Sequence, residues 1–202
     1  MTQKYPDKKP YILIGYMGSG KSYVCKRLGA AMDLRWVDLD DVIEARAGKS
    51  ISDIFAEDGH EAFRLLEHNC LVDLLNAKDY DLISAGGGAP CYLGNMDLMN
   101  ARAITIYLRR EATEILKYVL PGISHRPLLA GKSEEEIVRF VEETLKDREP
   151  IYSQAQYILE GFESQELLDK VASIILENGN QMGITEPMLP QKPVFRSPCS
   201  VE

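Results

Sequence analysis

Residues Gly15 to Ser22 read GYMGSGKS and match the pattern G-x-x-x-x-G-K-[ST] of a phosphate-binding loop. A short apolar run, Tyr11 to Ile14, precedes the motif, and a predicted helix follows it. Such a turn points backbone N–H groups at phosphate oxygens, and the helix dipole adds positive charge. The stretch therefore predicts a nucleotide phosphate site. A chance glycine-rich turn with an exposed lysine is the alternative.

Within this loop, Lys21 is predicted to reach the β and γ phosphates of ATP, and the Ser22 hydroxyl to ligate Mg²⁺. The predicted ATP-binding residues of this stretch are Gly18, Ser19, Gly20, Lys21, Ser22 and Tyr23. A phosphate-binding loop does not by itself distinguish a kinase from a GTPase, a motor or a regulatory ATPase, so the rest of the chain has to decide.

Composition narrows the protein class. The 202 residues, of which 45% are hydrophobic, suit one domain with a real core, and the net charge of -8 argues against a nucleic-acid binder. The four cysteines, Cys25, Cys70, Cys91 and Cys199, form no CxxC pair, so free thiols are predicted. No apolar run approaches the roughly 20 residues of a membrane span, and the amino terminus is polar. We expect a cytoplasmic protein with no membrane or nucleic-acid partner, and from its length a monomer.

Short apolar runs alternate with amphipathic segments and predict five buried strands. The runs are Tyr11 to Ile14, Leu34 to Val37, Leu82 to Ala85, Ala103 to Leu108 and Gln156 to Leu159. Strands that alternate with helices indicate parallel βαβ units, hence an α/β fold with the sheet between two helical layers. Ligands then bind at the carboxyl ends of the strands.

Helix signals flank these strands. A helix is predicted after Asp58, with Glu61 completing a cap on Asp58, and another is predicted to open at Ser133 and to end by Pro150. A last helix is expected from about Ser164 to Leu176. Residues 1–177 are predicted to form the domain, and residues 178–202, rich in polar residues and proline, a disordered tail.

Two carboxylates follow the second predicted strand. Asp38 and Asp40 are two apart, so in an extended chain they share a face, whereas Asp41 points away and suits the start of a helix near Val42. Such a pair can hold hydrated Mg²⁺ with one carboxylate and accept a hydrogen bond from a substrate hydroxyl with the other. With the ordinary aspartate pKa of about 4, Asp40 would be a weak base.

Arginines and glycines suggest the substrate. Arg64 follows a predicted core residue and lies at the edge of the helix's packed face, Gly86-Gly87-Gly88 allow close approach after the third strand, and Arg126 lies in a long connection that predicts a lid. Arg148 stands near a helix end. Surface solubility for Arg64 and a dipole interaction for Arg148 are the alternatives. Because arginine forks bind carboxylates, these residues suggest phosphorylation of a small, anionic, hydroxylated molecule.

Taken together, the motifs resemble those of the shikimate kinase family from about Tyr11 to Leu176. The resemblance rests on Gly15 to Ser22, Asp38-Leu39-Asp40 with Ile43-Glu44, Phe63-Arg64 with Glu67, Gly86-Gly87-Gly88-Ala89, Arg126-Pro127-Leu128-Leu129, and Arg148 before Pro150-Ile151-Tyr152. It implies ATP-dependent phosphorylation of the 3-hydroxyl of shikimate, in aromatic amino-acid biosynthesis. It also implies a nucleoside-monophosphate-kinase-like fold with strand order 2-3-1-4-5.

The resemblance assigns roles on the substrate side. Asp40 would bind the reacting hydroxyl, while Arg64 and Arg148, with Gly86, Gly87 and Gly88, would hold the shikimate carboxylate and ring. The substrate-binding region would span about residues 38–75.

On the nucleotide side, the resemblance implies that Arg126, from a lid over about residues 117–133, reaches the ATP phosphates. Asp38 would act on Mg²⁺ through water, and Lys117 would lie near the adenine. The catalytic residues would be Lys21, Asp40 and Arg126. His125 departs from the small or β-branched residue expected before Arg126, which puts the lid's closure in question.

Two alternatives stay open. A kinase of the same fold acting on gluconate or a nucleoside monophosphate would use the same loop and lid arginine, although Arg64, Arg148 and the three glycines favour a carboxylate-bearing ring. A non-catalytic nucleotide-binding module is the second alternative, and the intact set of catalytic residues argues against it.

Overall fold

The computed structural model describes residues 9–121, 131–161 and 164–180. Five parallel strands form one sheet in the order β2-β3-β1-β4-β5, which confirms the order implied by the resemblance. The strands are β1 (Tyr11–Ile14), β2 (Trp36–Asp38), β3 (Leu82–Ser84), β4 (Ile104–Arg109) and β5 (Tyr157–Glu160). All five predicted strands are confirmed, with bounds within two residues of the predicted ones.

Helices flank this sheet on both faces. They are α1 (Lys21–Met32), α2 (Leu39–Ala47), α3 (Ile51–Glu57), α4 (Gly59–Ala77), α5 (Asn95–Arg102), α6 (Ala112–Val119), α7 (Glu134–Tyr152) and α8 (Ser164–Asn180). A short 3-10 helix, Ala89–Cys91, follows the three glycines after β3. The predicted α/β fold with three layers is therefore confirmed.

The central strand β1 shows why the layers form. Each of its residues is at most 1% exposed, and alternate side chains point to opposite faces of the sheet. Ile12 and Ile14 pack with residues of α2, α4 and α5, whereas Tyr11 and Leu13 pack with residues of α1 and α8. A strand buried on both faces is expected to be apolar throughout, and this one fixes the start of the phosphate-binding loop.

Helix α2 begins earlier than predicted, at Leu39 rather than near Val42. The Asp38 side chain caps it, because Asp38 Oδ1 accepts a hydrogen bond from the Asp40 N–H at 3.1 Å. Aspartate is a favoured capping residue, and this signal overrides continuation of the strand. Asp40 therefore lies in the first helical turn, and the prediction that Asp38 and Asp40 share a face of an extended chain is wrong.

Two other helix ends also differ from the prediction. Helix α7 opens with the predicted capping box of Ser133 and Glu136, but it continues past Pro150 to Tyr152. A proline in the last turn removes only one backbone hydrogen bond, and the fully buried Tyr152 holds the turn in the core. Before α4, Asp58 makes no side-chain cap; its carboxylate pairs with Lys49 Nζ at 2.7 Å instead.

The carboxyl end of the described chain also departs from the prediction. Helix α8 continues past Leu176 to Asn180, and the Asn178 amide donates to the Tyr157 hydroxyl at 3.1 Å. The first residues assigned to the tail thus belong to the helix, and residues 181–202 lie outside the described residues.

In the described ranges, no helix combines the length and hydrophobicity needed to span a bilayer. Cys25, Cys70 and Cys91 are free thiols, as predicted, and Cys199 lies outside these ranges.

Candidate active site

The phosphate-binding loop connects β1 to α1 through glycines with positive φ. Gly15 has φ 141°, and a Cβ on it would lie 2.8 Å from the backbone oxygen of Leu108, so only glycine fits against β4. Lys21 begins α1, and its Nζ donates to the carbonyl oxygens of Gly15 and Tyr16, both at 2.9 Å. These hydrogen bonds hold a side chain that is only 7% exposed, so its positive charge lies inside the loop.

Three oxygen-bearing side chains meet where α1, β2 and β3 come together. Ser22 Oγ donates to Asp38 Oδ2 at 2.6 Å and lies 3.1 Å from Ser84 Oγ. Ser84 ends β3 and is buried, and the sequence analysis did not single it out. Hydroxyl and carboxylate oxygens suit Mg²⁺, which usually takes only one or two protein carboxylates beside phosphates and water. Ser22 and Asp38, the predicted metal ligands, are thus brought together.

Asp40 faces the same edge of the sheet from the first turn of α2. A Cβ on Gly86 would lie 2.8 Å from Asp40 Oδ1, so the carboxylate rests against the glycines that follow β3. Burial raises the pKa of Asp40 to about 7, with the charges of Asp38 and Glu67 adding to the rise and Lys21 opposing it. The ordinary value of about 4 assumed from the sequence therefore does not hold. A carboxyl with a pKa near neutrality suits a general base.

Arg64 lies inside the molecule rather than on its surface. It is 7% exposed on α4, and its Nη1 donates to Glu67 Oε2 at 2.6 Å. Glu67 is 1% exposed; burial raises its pKa, and the adjacent Arg64 guanidinium opposes that rise. The solubility alternative for Arg64 is thereby excluded, because a solubilising arginine would extend into solvent.

Arg148 reaches the site from α7, far along the chain. Its Nη1 donates to the carbonyl oxygen of Gly87 at 3.1 Å, and its guanidinium lies 5.5 Å from the ring centre of Tyr16. The Tyr152 hydroxyl donates to the same Gly87 oxygen. The two side chains lie one turn apart on α7, and both bind one peptide group of the glycine segment, Gly86-Gly87-Gly88.

The three consecutive glycines permit these approaches. A Cβ on Gly88 would lie 2.5 to 2.8 Å from atoms of the Arg64 guanidinium, and one on Gly87 would lie 3.2 Å from the backbone nitrogen of Met17 in the phosphate-binding loop. The glycine segment therefore separates the phosphate-binding loop from the two arginines by one backbone thickness. It brings Asp40, Arg64 and Arg148 to one place.

Two other predicted site residues lie on the surface, and a third lies outside the described residues. Lys117 is exposed on α6, which packs on the phosphate-binding loop where a Cβ on Gly18 would lie 3.3 Å from Val119. Tyr23 is 48% exposed on α1. Arg126 and His125, with most of the predicted lid, lie outside the described residues.

Comparison with known proteins agrees with this geometry. A family model described as shikimate kinase matches residues 17–178. The chain belongs to the shikimate kinase family. A shikimate kinase of Parabacteroides distasonis is 45% identical over 147 residues, covering 73% of this chain and 84% of that protein. One from Phocaeicola vulgatus is 39% identical over 158 residues, covering 78% and 88%.

Solved structures of the shikimate kinase family have the same fold. The shikimate kinase of Bacteroides thetaiotaomicron superposes with a TM-score of 0.73 at 30% identity, covering 88% of this chain and all 100% of that one. The shikimate kinase of Acinetobacter baumannii in complex with shikimate gives a TM-score of 0.73 at 30% identity, covering 85% and 96%. The family resemblance inferred from the motifs is confirmed.

Sequence reasoning missed several residues of this candidate site. Glu67 was noted as part of a motif but not as the partner of Arg64, although an acid three residues after an arginine on a helix is a contact signal. Ser84 and Tyr152 gave no such local signal, because their partners, Ser22 and Gly87, lie far away in the chain.

Proposed function

We propose that this chain transfers the γ-phosphoryl group of ATP to the 3-hydroxyl of shikimate, giving 3-phosphoshikimate and ADP, a step of aromatic amino-acid biosynthesis. One observation carries the proposal: Arg64 and Arg148 both lie against the glycine segment that also touches Asp40 and the phosphate-binding loop. Two guanidinium groups suit a carboxylate, and Asp40 suits a hydroxyl beside the transferring phosphate. The shikimate complex of the Acinetobacter baumannii relative supports this choice of substrate.

On the nucleotide side, we assign phosphate binding to Gly18, Ser19, Gly20, Lys21 and Ser22. Lys21 neutralises charge on the transferring phosphoryl group, since its ammonium already lies inside the loop with hydrogen bonds to two carbonyls. Carbonyl oxygens are neutral acceptors, so phosphate oxygens compete well with them for the ammonium. In this proposal the Lys21 charge stabilises the negative charge that develops on the transferring phosphoryl group.

The oxygen donors of Ser22 and Asp38 fit a magnesium ion, with Ser84 as a further neighbouring oxygen. When bound there, Mg²⁺ neutralises charge on the nucleotide phosphates. Asp38 also holds the start of α2 through the Asp40 N–H, so the residue that binds the metal fixes the backbone of the proposed base.

Asp40 acts on the acceptor hydroxyl. Its pKa of about 7 means that ionised and protonated forms are both populated near neutrality, so it can accept the hydroxyl proton and release it afterwards. Burial raises this pKa most, the charges of Asp38 and Glu67 add to the rise, and Lys21 limits it. Burial and the surrounding charges together thus set the proton affinity of the base.

Three further residues are assigned to the nucleotide. The family resemblance implies that Arg126 would reach the ATP phosphates and that Lys117 would lie near the adenine, and Tyr23 is assigned from its position directly after the phosphate-binding loop. The exposed position of Lys117 on a helix that packs against the phosphate-binding loop supports its placement beside the nucleotide. We also propose that the enzyme is a cytoplasmic monomer that binds no nucleic acid, in keeping with the net charge of -8.

A release assay for ADP tests the function. Shikimate, gluconate and nucleoside monophosphates are each supplied with Mg²⁺ and ATP, and the proposal expects turnover with shikimate far above the others. Turnover with gluconate or a monophosphate alone supports the related kinases, and ATP binding without any turnover supports the regulatory module. Either outcome overturns the proposal.

A further inference from the structure

The guanidinium of Arg64 makes contacts beyond its ion pair with Glu67. Its Nε donates to His60 Nε2 at 3.3 Å, and its Cζ lies 4.2 Å from the ring centre of Tyr92 and 4.9 Å from that of Phe63. The rings of His60 and Tyr92 meet edge to face, with centres 5.2 Å apart. Arg64 thus lies in an enclosure of which Tyr92 covers one face.

The two kinds of contact leave different parts of the guanidinium available. Glu67 and His60 take N–H groups on its edge through Nη1 and Nε, whereas an aromatic face attracts the cation without using any N–H. The Nη2 atom lies at the glycine segment, where a Cβ on Gly88 would be only 2.5 Å away. A carboxylate is bound through the edge of a guanidinium. These contacts therefore fix the orientation of the guanidinium plane and leave its Nη2 edge available to a ligand.

His60 serves as an acceptor in this enclosure. A guanidinium N–H can only donate, so His60 Nε2 carries no proton when it accepts from Arg64 Nε. Burial lowers the pKa of His60, and the charge of Arg64 lowers it further. The neutral imidazole thus orients the arginine without repelling it.

The backbone around Tyr92 is held in a defined conformation, which fixes the position of the Tyr92 ring. Leu93, the next residue, has φ 51°, a left-handed conformation that costs energy for leucine and that persists only where the surroundings impose it. Asn95, fully buried, donates to the Ala89 carbonyl at 2.8 Å and lies 2.6 Å from His68 Nδ1 on α4. These contacts tie the Tyr92 loop to the same helix that carries Arg64.

We propose that Tyr92 is a positioning residue, whose ring fixes the plane of the Arg64 guanidinium so that its Nη2 edge faces the substrate carboxylate. The inference rests on the proposed function, because it takes Arg64 as a carboxylate-binding residue. Tyr92 lies on the loop after the glycine segment, so the loop that lines the substrate site also orients its arginine.

A pair of variants at residue 92 tests this role. Tyr92→Phe keeps the ring and should leave the KM for shikimate within about twofold of the parent, whereas Tyr92→Leu should raise it by about 3- to 30-fold, the usual strength of a cation–π contact. KM for ATP and kcat should change little in both variants. An unchanged shikimate KM in Tyr92→Leu overturns the proposal, and so does an equal loss in Tyr92→Phe or a parallel loss for ATP.

A second pair of variants leaves the ring in place. Asn tolerates the left-handed conformation and a β-branched residue does not, so Leu93→Asn should be parental while Leu93→Val should raise the shikimate KM selectively. Equal behaviour of the two variants overturns the proposal even where Tyr92→Leu fails to fold. The parent is assayed first: no turnover with shikimate overturns the proposed function, whereas parental turnover with no effect of these variants overturns only the role of Tyr92.

Discussion

The phosphate-binding loop takes its residues from eight consecutive positions, Gly15 to Ser22, whereas the arginine side of the site collects its residues from α4, the glycine segment and α7. In the loop, the backbone itself supplies the binding groups, and β1 and α1 fix its ends. On the arginine side, long side chains are oriented by other side chains, as Arg64 is by Glu67. The loop is thus a local structure, and the arginine side is a product of tertiary packing.

This difference has a practical meaning. A local site fails when its own residues change, and it should be insensitive to distant substitutions. A composite site can fail at any of its supports, and its failures should be specific to the ligand it orients. The variants below test this contrast, from the largest expected effect to the smallest.

Lys21→Ala is expected to reduce turnover by at least about 10³-fold, because it removes the positive charge that stabilises the transferring phosphate. The fold should persist, since Lys21 Nζ donates within its own loop, to the carbonyls of Gly15 and Tyr16 and to Ser19 Oγ. Single-turnover kinetics with ATP and shikimate measure the loss, and circular dichroism checks the fold. Parental activity in this variant would refute the assignment of the loop.

Asp40→Asn should retain the fold and ATP binding but lose about 10²- to 10⁴-fold in the rate of phosphoryl transfer, the usual contribution of a general base. The side chains are nearly isosteric, so packing stays constant. Single-turnover phosphorylation of shikimate at saturating ATP decides the point. A rate within about threefold of the parent removes Asp40 from the mechanism, because one good acid–base contact predicts about 10²-fold.

The pKa of Asp40 adds a pH signature to that variant. Because only ionised Asp40 accepts a proton, kcat of the parent should rise as the pH increases through about 7, and the Asn variant should lack this rise. The folded protein binds the Asp40 proton more tightly than the unfolded chain, where the pKa is about 4. Stability from this group is therefore lost as the pH rises from about 4 through 7, and Asp40→Asn should raise Tm above that window.

Arg64→Ala and Arg148→Ala should each weaken shikimate binding by about 2–5 kcal/mol, with nucleotide affinity nearly unchanged, because each removes one side of a desolvated charge pair. The two variants should differ in stability. Arg64→Ala leaves the buried Glu67 without its partner and should lower Tm, whereas Arg148 bonds a backbone carbonyl and its loss should cost less. Calorimetric titration with each ligand separates the two effects. A large loss of ATP affinity would contradict the assignment of these arginines to the shikimate side of the site.

Deletions at the carboxyl end should have the smallest effect. Removing residues 181–202 is expected to leave activity and Tm almost unaltered, since their composition offers little apolar surface to bury. Removing residues from Asn178 onward should lower Tm slightly more, because Asn178 hydrogen-bonds Tyr157. A large loss of stability from the shorter deletion would show that the tail packs on the domain.

The parts of the molecule that the sequence predicted well are those specified locally. Strand β1 and the loop after it are recognised from hydrophobicity and spacing, and Ser133 with Glu136 announces the start of α7. The errors arose at the ends of elements. Asp38 both ends β2 and caps α2, so the helix begins at Leu39. Helix α7 continues past Pro150, because Tyr152 is buried in the core.

The candidate site follows the same rule. Lys21 and Ser22 could be assigned from a motif, whereas the pKa of Asp40 depends on Glu67 and on burial that only the folded chain creates. Tyr92 gave no signal in sequence because an aromatic residue after a turn is common, and its meaning depends on the guanidinium that lies under it.

Gly88 is required as glycine by the site and not by the backbone conformation. Its φ of -91° is one that any residue adopts, yet a Cβ there would collide with the Arg64 guanidinium. A substitution such as Gly88→Ala should therefore leave cellular abundance of the protein near normal while impairing growth that depends on this enzyme. Chaperones and proteases would not remove a variant that folds normally. In an organism supplied with aromatic amino acids, such alleles would therefore accumulate by drift.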